Sequence, residues 1–206
     1  MKADIAATKT NLLKTKKALS LTEEGHGLLD EKRKILLSEL AAVVDSVDEH
    51  QKKVDNVFKE AYEMADKAVV AIGRKRLEEL SFSIDIKSEL SISQRRVMGV
   101  SIPIVDLFIK DNPPYYSLYE VNLYVDEAIV RFKEALKLLA VLAEKKITLL
   151  RLAHETQKTI RKVNALEKIY LPYYRTTLKY IGERLDEESR DAFAMLKLIK
   201  KAKLKQ

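Results

Sequence analysis

The sequence predicts a mainly α-helical protein. Its N-terminal and C-terminal helices would form a long antiparallel two-helix coiled coil, with a small head containing a short β-hairpin between them. Three observations predict this. Only 5 Gly and 4 Pro occur in 206 residues, so the chain reverses rarely. Charged residues (33%) and apolar residues (47%) are both abundant, as in long amphipathic helices. Apolar residues also recur mostly at gaps of three, four or seven through two long stretches without Gly or Pro.

The N-terminal segment, residues 1–80, reads as one long helix from about residue 4. Its stretch 28–72 carries the clearest seam, and such a seam predicts packing against a long partner helix. Gly25 and Gly27 weaken the helix locally without ending it, whereas Gly73, followed by three cations, predicts a helix end. The predicted seam positions here are Leu36, Leu40, Val43, Val47, Val54 and Phe58.

The head, residues 81–117, has strand-like sequence patterns in place of the helical ones. Residues 82–86 alternate with a period of two and residues 97–105 are rich in β-branched side chains, so both read as strands. Pro103 suggests a strand edge or end, and Gly99 fits a bulge, a close approach or an ordinary hairpin turn. The 111–114 stretch reads as a turn, and the sequence Pro-Pro-Tyr-Tyr at 113–116 as a structural link into the next helix rather than a ligand for a proline-binding module. This head is too small to fold by itself.

The C-terminal segment, residues 118–206, returns to helix and ends in a basic tail. Pro172 predicts a kink or short break, because it lacks a backbone donor and crowds the preceding turn. If Ile72 lies near Val125, an antiparallel pairing puts Leu29 near Glu167 or Lys168. The predicted seam positions in this segment are Val125, Ile129, Phe132, Leu136, Leu139, Ile147 and Leu150.

The formal net charge of +7 is concentrated at the two chain ends, which the antiparallel pairing brings to one tip. Such a tip could meet nucleic acid, an anionic membrane or an acidic protein surface. No aromatic residues are interleaved with its lysines and Arg is scarce, so nucleic acid is disfavoured. The basic cluster is formed by Lys2, Lys9, Lys14, Lys16 and Lys17 at one end and by Lys197, Lys200, Lys201, Lys203 and Lys205 at the other.

No catalytic apparatus, metal site or cofactor site is predicted. Cys is absent, and His26, His50 and His154 are far apart in sequence and in the predicted pairing. The sequence has no Gly-rich phosphate loop, and the acidic run at 186–188 reads as a solvated helix face. No uncharged apolar run of 18 residues predicts a membrane span, and the N-terminus lacks the apolar core of a signal peptide.

With these residues in view, the sequence resembles the D subunit of the V-type and A-type rotary ATPases, the central stalk shaft. Three blocks, in family order, carry the resemblance. The first runs from Thr8 to Arg33, with Leu12, Leu13, Gly25, His26, Leu28, Leu29 and Lys32. The second is the head motif Val97, Met98, Gly99, Val100, Ile102 and Pro103. The third runs from Arg161 to Lys197, with Val163, Asn164, Ala165, Leu166, Glu167, Pro172, Thr177, Tyr180, Ile181, Leu185, Arg190, Phe193 and Leu196.

The resemblance implies a central rotor shaft that is not itself an enzyme and binds no nucleotide or other cofactor. It would transmit torque between the ring of A and B catalytic subunits and the membrane rotor, in ATP synthesis or hydrolysis coupled to ion or proton transport. Its partners would be the A and B subunits, the F subunit of the central stalk, and the C subunit of the membrane rotor (called d in some V-types), in a cytoplasmic position peripheral to the membrane. The residues expected in the ring cavity are Lys9, Lys16, Lys17, Arg190, Lys197, Lys200 and Lys201.

Two alternative functions belong to other classes of protein. A non-rotary coiled-coil scaffold would not turn during ATP hydrolysis, whereas a shaft would rotate a probe fixed to its head. A basic helical hairpin that binds nucleic acid would show retention on DNA or RNA that falls steeply with salt.

Overall fold

The computed structural model describes residues 5–110, 112–117 and 121–203. It contains α1 (Lys9–Ile72), α2 (Arg74–Ser81), β1 (Lys87–Val97), β2 (Val100–Lys110), α3 (Leu123–Ala165), a π-helical turn (Leu166–Tyr170) and α4 (Leu171–Lys203). The predicted fold class is confirmed: long helices at both ends of the chain and an antiparallel β-hairpin between them. The predictions that concern Lys2, Asp111 and Lys205 fall outside the described residues.

Local chemistry explains the bounds of α1. At its start the Thr8 carbonyl accepts a bond from the Leu12 N–H (2.9 Å), and the Thr8 hydroxyl accepts one from the Asn11 N–H (3.2 Å), as expected of a helix cap. The helix continues through Gly25 and Gly27, as the sequence predicts. It ends where Gly73 adopts a φ of 83°, a conformation that favours glycine, and α2 starts immediately after it.

The chain forms two compact units. The terminal unit comprises Met1–Ile35 and Thr156–Gln206, and the head unit comprises Leu36–Glu155. In the head unit α1 and α3 are antiparallel, because Glu60 lies 3.5 Å from Arg131 whereas the earlier Ser46 accepts a bond from the later Lys145 (2.6 Å). In the terminal unit Glu23 lies 2.9 Å from Arg175, close to the register expected from the prediction for Leu29.

The interior of the head unit follows a seven-residue repeat. The buried positions on α1 are Leu36, Val47, Val54, Ala61 and Ala68. Those on α3 are Val125, Ala128, Ala135, Leu142 and Leu152. The intervals are seven residues from Val47 to Ala68 and from Ala128 to Leu142, and the remaining intervals of three, ten and eleven are also sums of the threes and fours of a coiled-coil seam.

The predicted seam agrees with this interior on α1 and partly departs from it on α3. Leu36, Val47, Val54 and Val125 are buried, and Leu40, Val43, Phe58, Ile129 and Phe132 are half-buried. By contrast, Leu136, Leu139, Ile147 and Leu150 are exposed. The buried stripe of α3 includes Ala128 and Ala135, each one residue before the predicted seam positions Ile129 and Leu136, because small alanines occupy the seam there. A helix with apolar residues on more than one face gives an ambiguous period.

The first predicted strand is wrong in position. Residues 82–86 form no ladder, and β1 starts at Lys87. The side chains of residues 83–86 nevertheless alternate in exposure, since Ile84 and Ile86 face the α1 and α3 side chains while Ser83 and Asp85 are exposed. An extended chain lying on two helices produces the same alternation as a half-buried strand. The second predicted strand, 97–105, falls on the end of β1, the loop and the first half of β2.

Pro172 lies near the start of α4 and does not break the helix. The five preceding residues instead form the π turn, in which the N–H of Leu171 bonds to the carbonyl of Leu166, five residues earlier. Because Pro172 has no N–H to offer, a wider turn at this point accommodates the missing bond. The turn also inserts one residue, so the buried Val163 and Leu171 are eight apart rather than seven.

Candidate functional site

Two surfaces in the described residues differ from the paired helices around them. One is the hairpin, residues 87–110, in the head unit. The other is the α4 end, residues 186–201, in the terminal unit. Both carry residues that the sequence singles out.

The hairpin turn is a tight two-residue loop. Met98 has a φ of 52° and Gly99 a φ of 82°, so both central residues are left-handed, as in a type I′ turn. Of the options for Gly99, the structure therefore selects the ordinary hairpin turn. Glycine adopts this conformation without strain, but a methionine does so at a cost of about 1–2 kcal/mol. Met98 is half exposed at the tip of the hairpin.

The base of the turn packs on the helices of the head unit. Val100 forms one buried cluster with Leu36 of α1 and Leu152 of α3. Ile102 and Pro103 are buried as well, and Val97 is half-buried. The head motif therefore divides into a buried part that seats the hairpin and an exposed tip, Met98 and Gly99.

Two polar contacts from α3 fix the first half of β2. The carboxylate of Glu144 accepts a bond from the Val105 N–H (2.9 Å), and the guanidinium of Arg151 donates to the Ser101 carbonyl (2.8 Å). Glu144 and Arg151 are seven residues, or two helical turns, apart on α3. An anion thus meets a backbone donor and a cation meets a backbone acceptor, which makes both bonds charge-assisted.

The hairpin changes the face that it buries along its length. Near the turn β2 buries Val100 and Ile102 on one face of the ribbon, together with Pro103 on the other. Toward the other end Leu107 and Ile109 of the opposite face are half-buried while Phe108 is exposed. Two-stranded ribbons twist strongly, so a long hairpin that lies along helices must exchange faces.

A half-buried polar group joins α1 to α3 beneath the hairpin. The ammonium of Lys145 lies 2.6 Å from the Ser46 hydroxyl and 3.1 and 3.2 Å from Nδ1 and Nε2 of His50, and Nδ1 is also 2.9 Å from the Ser46 carbonyl. A lysine can only donate, so the imidazole accepts from it through a ring nitrogen that carries no proton. Sequence reasoning missed this contact, because His50 and Lys145 are 95 residues apart and only the helix register brings them together.

Two of the clefts that border the hairpin differ in polarity. One, of about 320 Å³, lies between the hairpin and the helices and is lined by Glu39, Arg95, Glu144 and Lys145 among apolar residues. The other, of about 430 Å³, is almost entirely apolar. Its main lining residues are Phe58, Ile84, Ile86, Ile129 and Phe132. Phe58 also stacks on Tyr62, which meets Phe132 edge to face at 5.5 Å between ring centroids.

The link from the hairpin to α3 is held by two tyrosines. The Tyr116 hydroxyl donates to Asp126 (2.5 Å), and the Tyr115 hydroxyl accepts from Lys133 (2.6 Å). Burial, together with the Asp126 carboxylate, raises the pKa of Tyr116, so this phenol remains a donor at neutral pH. These contacts account for the tyrosines as a structural link, the use that the sequence favours.

The α4 end is exposed throughout. Phe193, Leu196 and Ile199, spaced by three, are each more than half exposed. Arg175 of α4 pairs with Glu23 of α1. If the antiparallel register is continued from this pair toward the chain ends, residue 189 lies opposite Lys9, the first residue of α1. The rest of α4 therefore extends beyond the start of α1. All the residues predicted for the ring cavity are exposed, and Arg190, Lys197, Lys200 and Lys201 lie on this end.

Among the described residues, no helix contains a stretch that is both long and apolar enough to cross a bilayer. The same residues also contain no group of three or more His, Asp or Glu side chains arranged to hold a metal ion.

Residues 11–201 match the protein family described as the D subunit of ATP synthase. The A-type ATP synthase D subunit of Thermococcus sibiricus is 35% identical over 199 residues, which cover 95% of this chain and 93% of the relative. The V-type ATP synthase D subunit of Thermotoga neapolitana is 33% identical over 196 residues (95% and 97%). The A-type D subunit of Methanobrevibacter smithii is 36% identical over 199 residues (95% and 86%).

Proposed function

The chain belongs to the family of ATP synthase D subunits, and from that premise we propose that it is the central rotor shaft of an A-type or V-type rotary ATPase. In this role it transmits torque between the catalytic ring and the membrane rotor during ATP synthesis or hydrolysis coupled to ion transport. It acts without a nucleotide site of its own, as a non-catalytic component on the cytoplasmic side of the membrane.

The α4 end is the observation that supports this role most directly. A helix that runs past its partner, with an apolar stripe and several lysines exposed together, is suited to enter a cavity of another protein. The stripe of Phe193, Leu196 and Ile199 supplies apolar contacts, while the flanking lysines on long flexible side chains can exchange carboxylate partners as the shaft turns. We propose that this end occupies the cavity of the ring of A and B subunits.

The long helices support torque transmission. α1 runs from Lys9 to Ile72 without a break, and its pairing with α3 in the head unit has an aliphatic interior. A close-packed seam transmits strain instead of absorbing it. We further propose that the F subunit of the central stalk and the C (or d) subunit of the membrane rotor bind other parts of the shaft that the ring leaves free.

The role is tested by reconstitution with the A and B subunits of the same organism and observation of a bead fixed to the hairpin tip. ATP-driven rotation of the bead is expected. The purified chain alone should hydrolyse no ATP, and it should not bind DNA or RNA at moderate salt. A chain that joins the complex while the bead stays still would point to a static scaffold and overturn the rotor role.

The contribution of the α4 end is tested by the triple variant Lys197→Gln, Lys200→Gln, Lys201→Gln. Because it removes three positive charges from the end, it is expected to lower torque or to weaken assembly with the ring. The matched control is Lys52→Gln, Lys59→Gln, Lys137→Gln, which makes the same charge change at exposed positions of the head unit. Equal behaviour of the two triple variants would remove the α4 end from the ring cavity.

A further inference from the structure

The two outer edges of the hairpin differ. In an antiparallel ribbon, alternate residue pairs point their backbone groups away from the partner strand. Val105 belongs to this outward class, because its N–H donates to Glu144 on α3 and not to β1. Its cross-strand partner Ile92 is therefore outward as well, and so is every second pair along the ladder.

The outer edge of β2 is closed over its first half. The Ser101 carbonyl is taken by Arg151, Pro103 has no N–H to present, and the Val105 N–H is taken by Glu144. The outer edge of β1 has no equivalent, since within the described part of the chain β1 pairs with β2 only. Its outward residues are Ser88, Leu90, Ile92, Gln94 and Arg96, all of them exposed.

An open edge of this kind normally carries protection against pairing with another strand, such as proline, a bulge or charges along its length. β1 has 11 residues without proline, and its ladder with β2 is continuous from Lys87 to Val97. Its cations lie at the ends. In the middle, Leu90 and Ile92 are 57% and 62% exposed on the same face.

We propose that β1 accepts an extended segment of another protein chain as a third strand of this sheet. Main-chain hydrogen bonds along the five outward residues would provide affinity, and alternate side chains would provide selectivity. The incoming segment should carry apolar residues beside Leu90 and Ile92, and an acidic residue beside Arg96. On the other face it should carry small or polar residues, beside Ser91 and Ser93.

The identity of the partner follows from the proposed function, on which this step rests. A hydrogen-bonded ladder would have to break several bonds at once whenever the two chains moved past each other. A strand added to the shaft therefore turns with it. The geometry points to a segment of another rotor component rather than of the catalytic ring.

The test is hydrogen exchange on the chain alone and on the reconstituted ATPase, with fragmentation that resolves residues 87–97. In the chain alone the outward amides, including Leu90 and Ile92, should exchange fast, while the inward amides of Ser91 and Ser93 are slow. In the complex the Ile92 amide is expected to slow by at least about a hundredfold. An unchanged Ile92 rate would overturn the third strand, and so would protection that appears in the chain alone as its concentration rises, which would indicate a second copy.

A pair of variants tests the backbone contact itself. Ile92→Pro removes only an outward N–H, because Ile92 donates nothing to β2, whereas Ile92→Val keeps that N–H and nearly the same side chain. Retained slow exchange at Ser91 and Ser93 verifies that the hairpin still folds. We expect Ile92→Pro to lose the Leu90 protection in the complex and Ile92→Val to keep it; equal protection in both variants would overturn the inference.

Different experimental results would overturn the proposed third strand and the proposed rotor role. An ATP-driven rotating complex whose Ile92 amide stays fast overturns the third strand and leaves the rotor role standing. A slow Ile92 amide in an assembled complex that does not rotate supports the third strand and overturns the rotor role.

Discussion

The interiors of the two units are built from different side chains. Every buried side chain described in the head unit is apolar, whereas the terminal unit buries Thr15, Thr156, Thr159 and Thr177 beside Val163, Leu171 and Ile181. It also contains His26, whose Nε2 is buried without a hydrogen-bond partner among the described residues. Apolar burial stabilises by about 25 cal/mol per Å², while a buried hydroxyl must first recover its lost hydration. The comparison indicates that the head unit is the more firmly packed region.

This difference fits the proposed work of the two regions. The head unit carries the hairpin and must hold it at a fixed position, which an apolar seam and the Glu144 and Arg151 contacts provide. The terminal unit ends in the α4 end, which would meet successive faces of a ring. Threonine is small enough to let two helices approach closely. Its burial contributes less favourable free energy than the burial of leucine, so helix pairing in the terminal unit depends less on the hydrophobic effect.

The largest effect is expected from truncating the head-unit interior. Leu36 is fully buried and contacts both Val100 and Leu152, so Leu36→Ala should leave a cavity and lower the free energy of unfolding by about 2–5 kcal/mol. Urea denaturation followed by circular dichroism measures this change. The control is Leu150→Ala on α3, which is 69% exposed and should shift stability by less than about 0.5 kcal/mol. Comparable losses for both would contradict the assignment of the seam.

A smaller effect is expected at the hairpin clamp. Glu144→Ala removes the acceptor of the Val105 N–H and should destabilise the docked hairpin by about 1 kcal/mol. Glu144→Gln retains an uncharged acceptor oxygen and should lose less. Hydrogen exchange at Val105 reports the change directly, since its amide should speed up in the alanine variant. An unaltered rate in Glu144→Ala would mean that the carboxylate does not hold the strand.

A gain in stability is expected at the hairpin tip. Met98 is left-handed, and asparagine adopts this conformation far more readily as the first residue of a type I′ turn before glycine. Met98→Asn should therefore raise the free energy of unfolding by about 1 kcal/mol, measured by thermal denaturation. Met98→Gly is the control, because it relieves the same strain but adds freedom to the unfolded chain. A loss of stability in Met98→Asn would show that the methionine side chain contributes packing that outweighs its strain.

The parts of the fold that the sequence could predict depend on helix periodicity. The absence of Gly and Pro over 28–72, and the left-handed preference of Gly73, were sufficient to place the later part of α1 and its end. The strand at 82–86 could not be separated from an extended segment on a helix surface, because both alternate. The α3 stripe was misplaced because Ala128 and Ala135 are less hydrophobic than Ile129 and Leu136, which follow them in the sequence.

The docking surfaces were predictable only in part. The exposed lysines of the α4 end follow from charge and from the pairing register. The Glu144, Arg151 and His50 contacts do not, because each depends on how a hairpin or a second helix lies against residues far away in sequence. No local pattern distinguishes these three side chains from the many other charged or polar residues on helix surfaces.

The smallest effect is expected in the terminal unit. Thr177 is almost fully buried, and its hydroxyl bonds to the Tyr173 carbonyl one turn earlier on its own helix (2.8 Å). This bond is local, and the carbonyl keeps its place in the helix when the hydroxyl is removed. Thr177→Val should therefore change the free energy of unfolding by less than about 0.5 kcal/mol, in either direction, whereas Ile181→Ala in the same unit should cost about 2 kcal/mol or more. Urea denaturation of the two variants measures the contrast. If Thr177→Val cost as much as Ile181→Ala, the hydroxyl would be bonded across the helix pair, and the terminal unit would be held by specific polar contacts instead of weaker apolar ones.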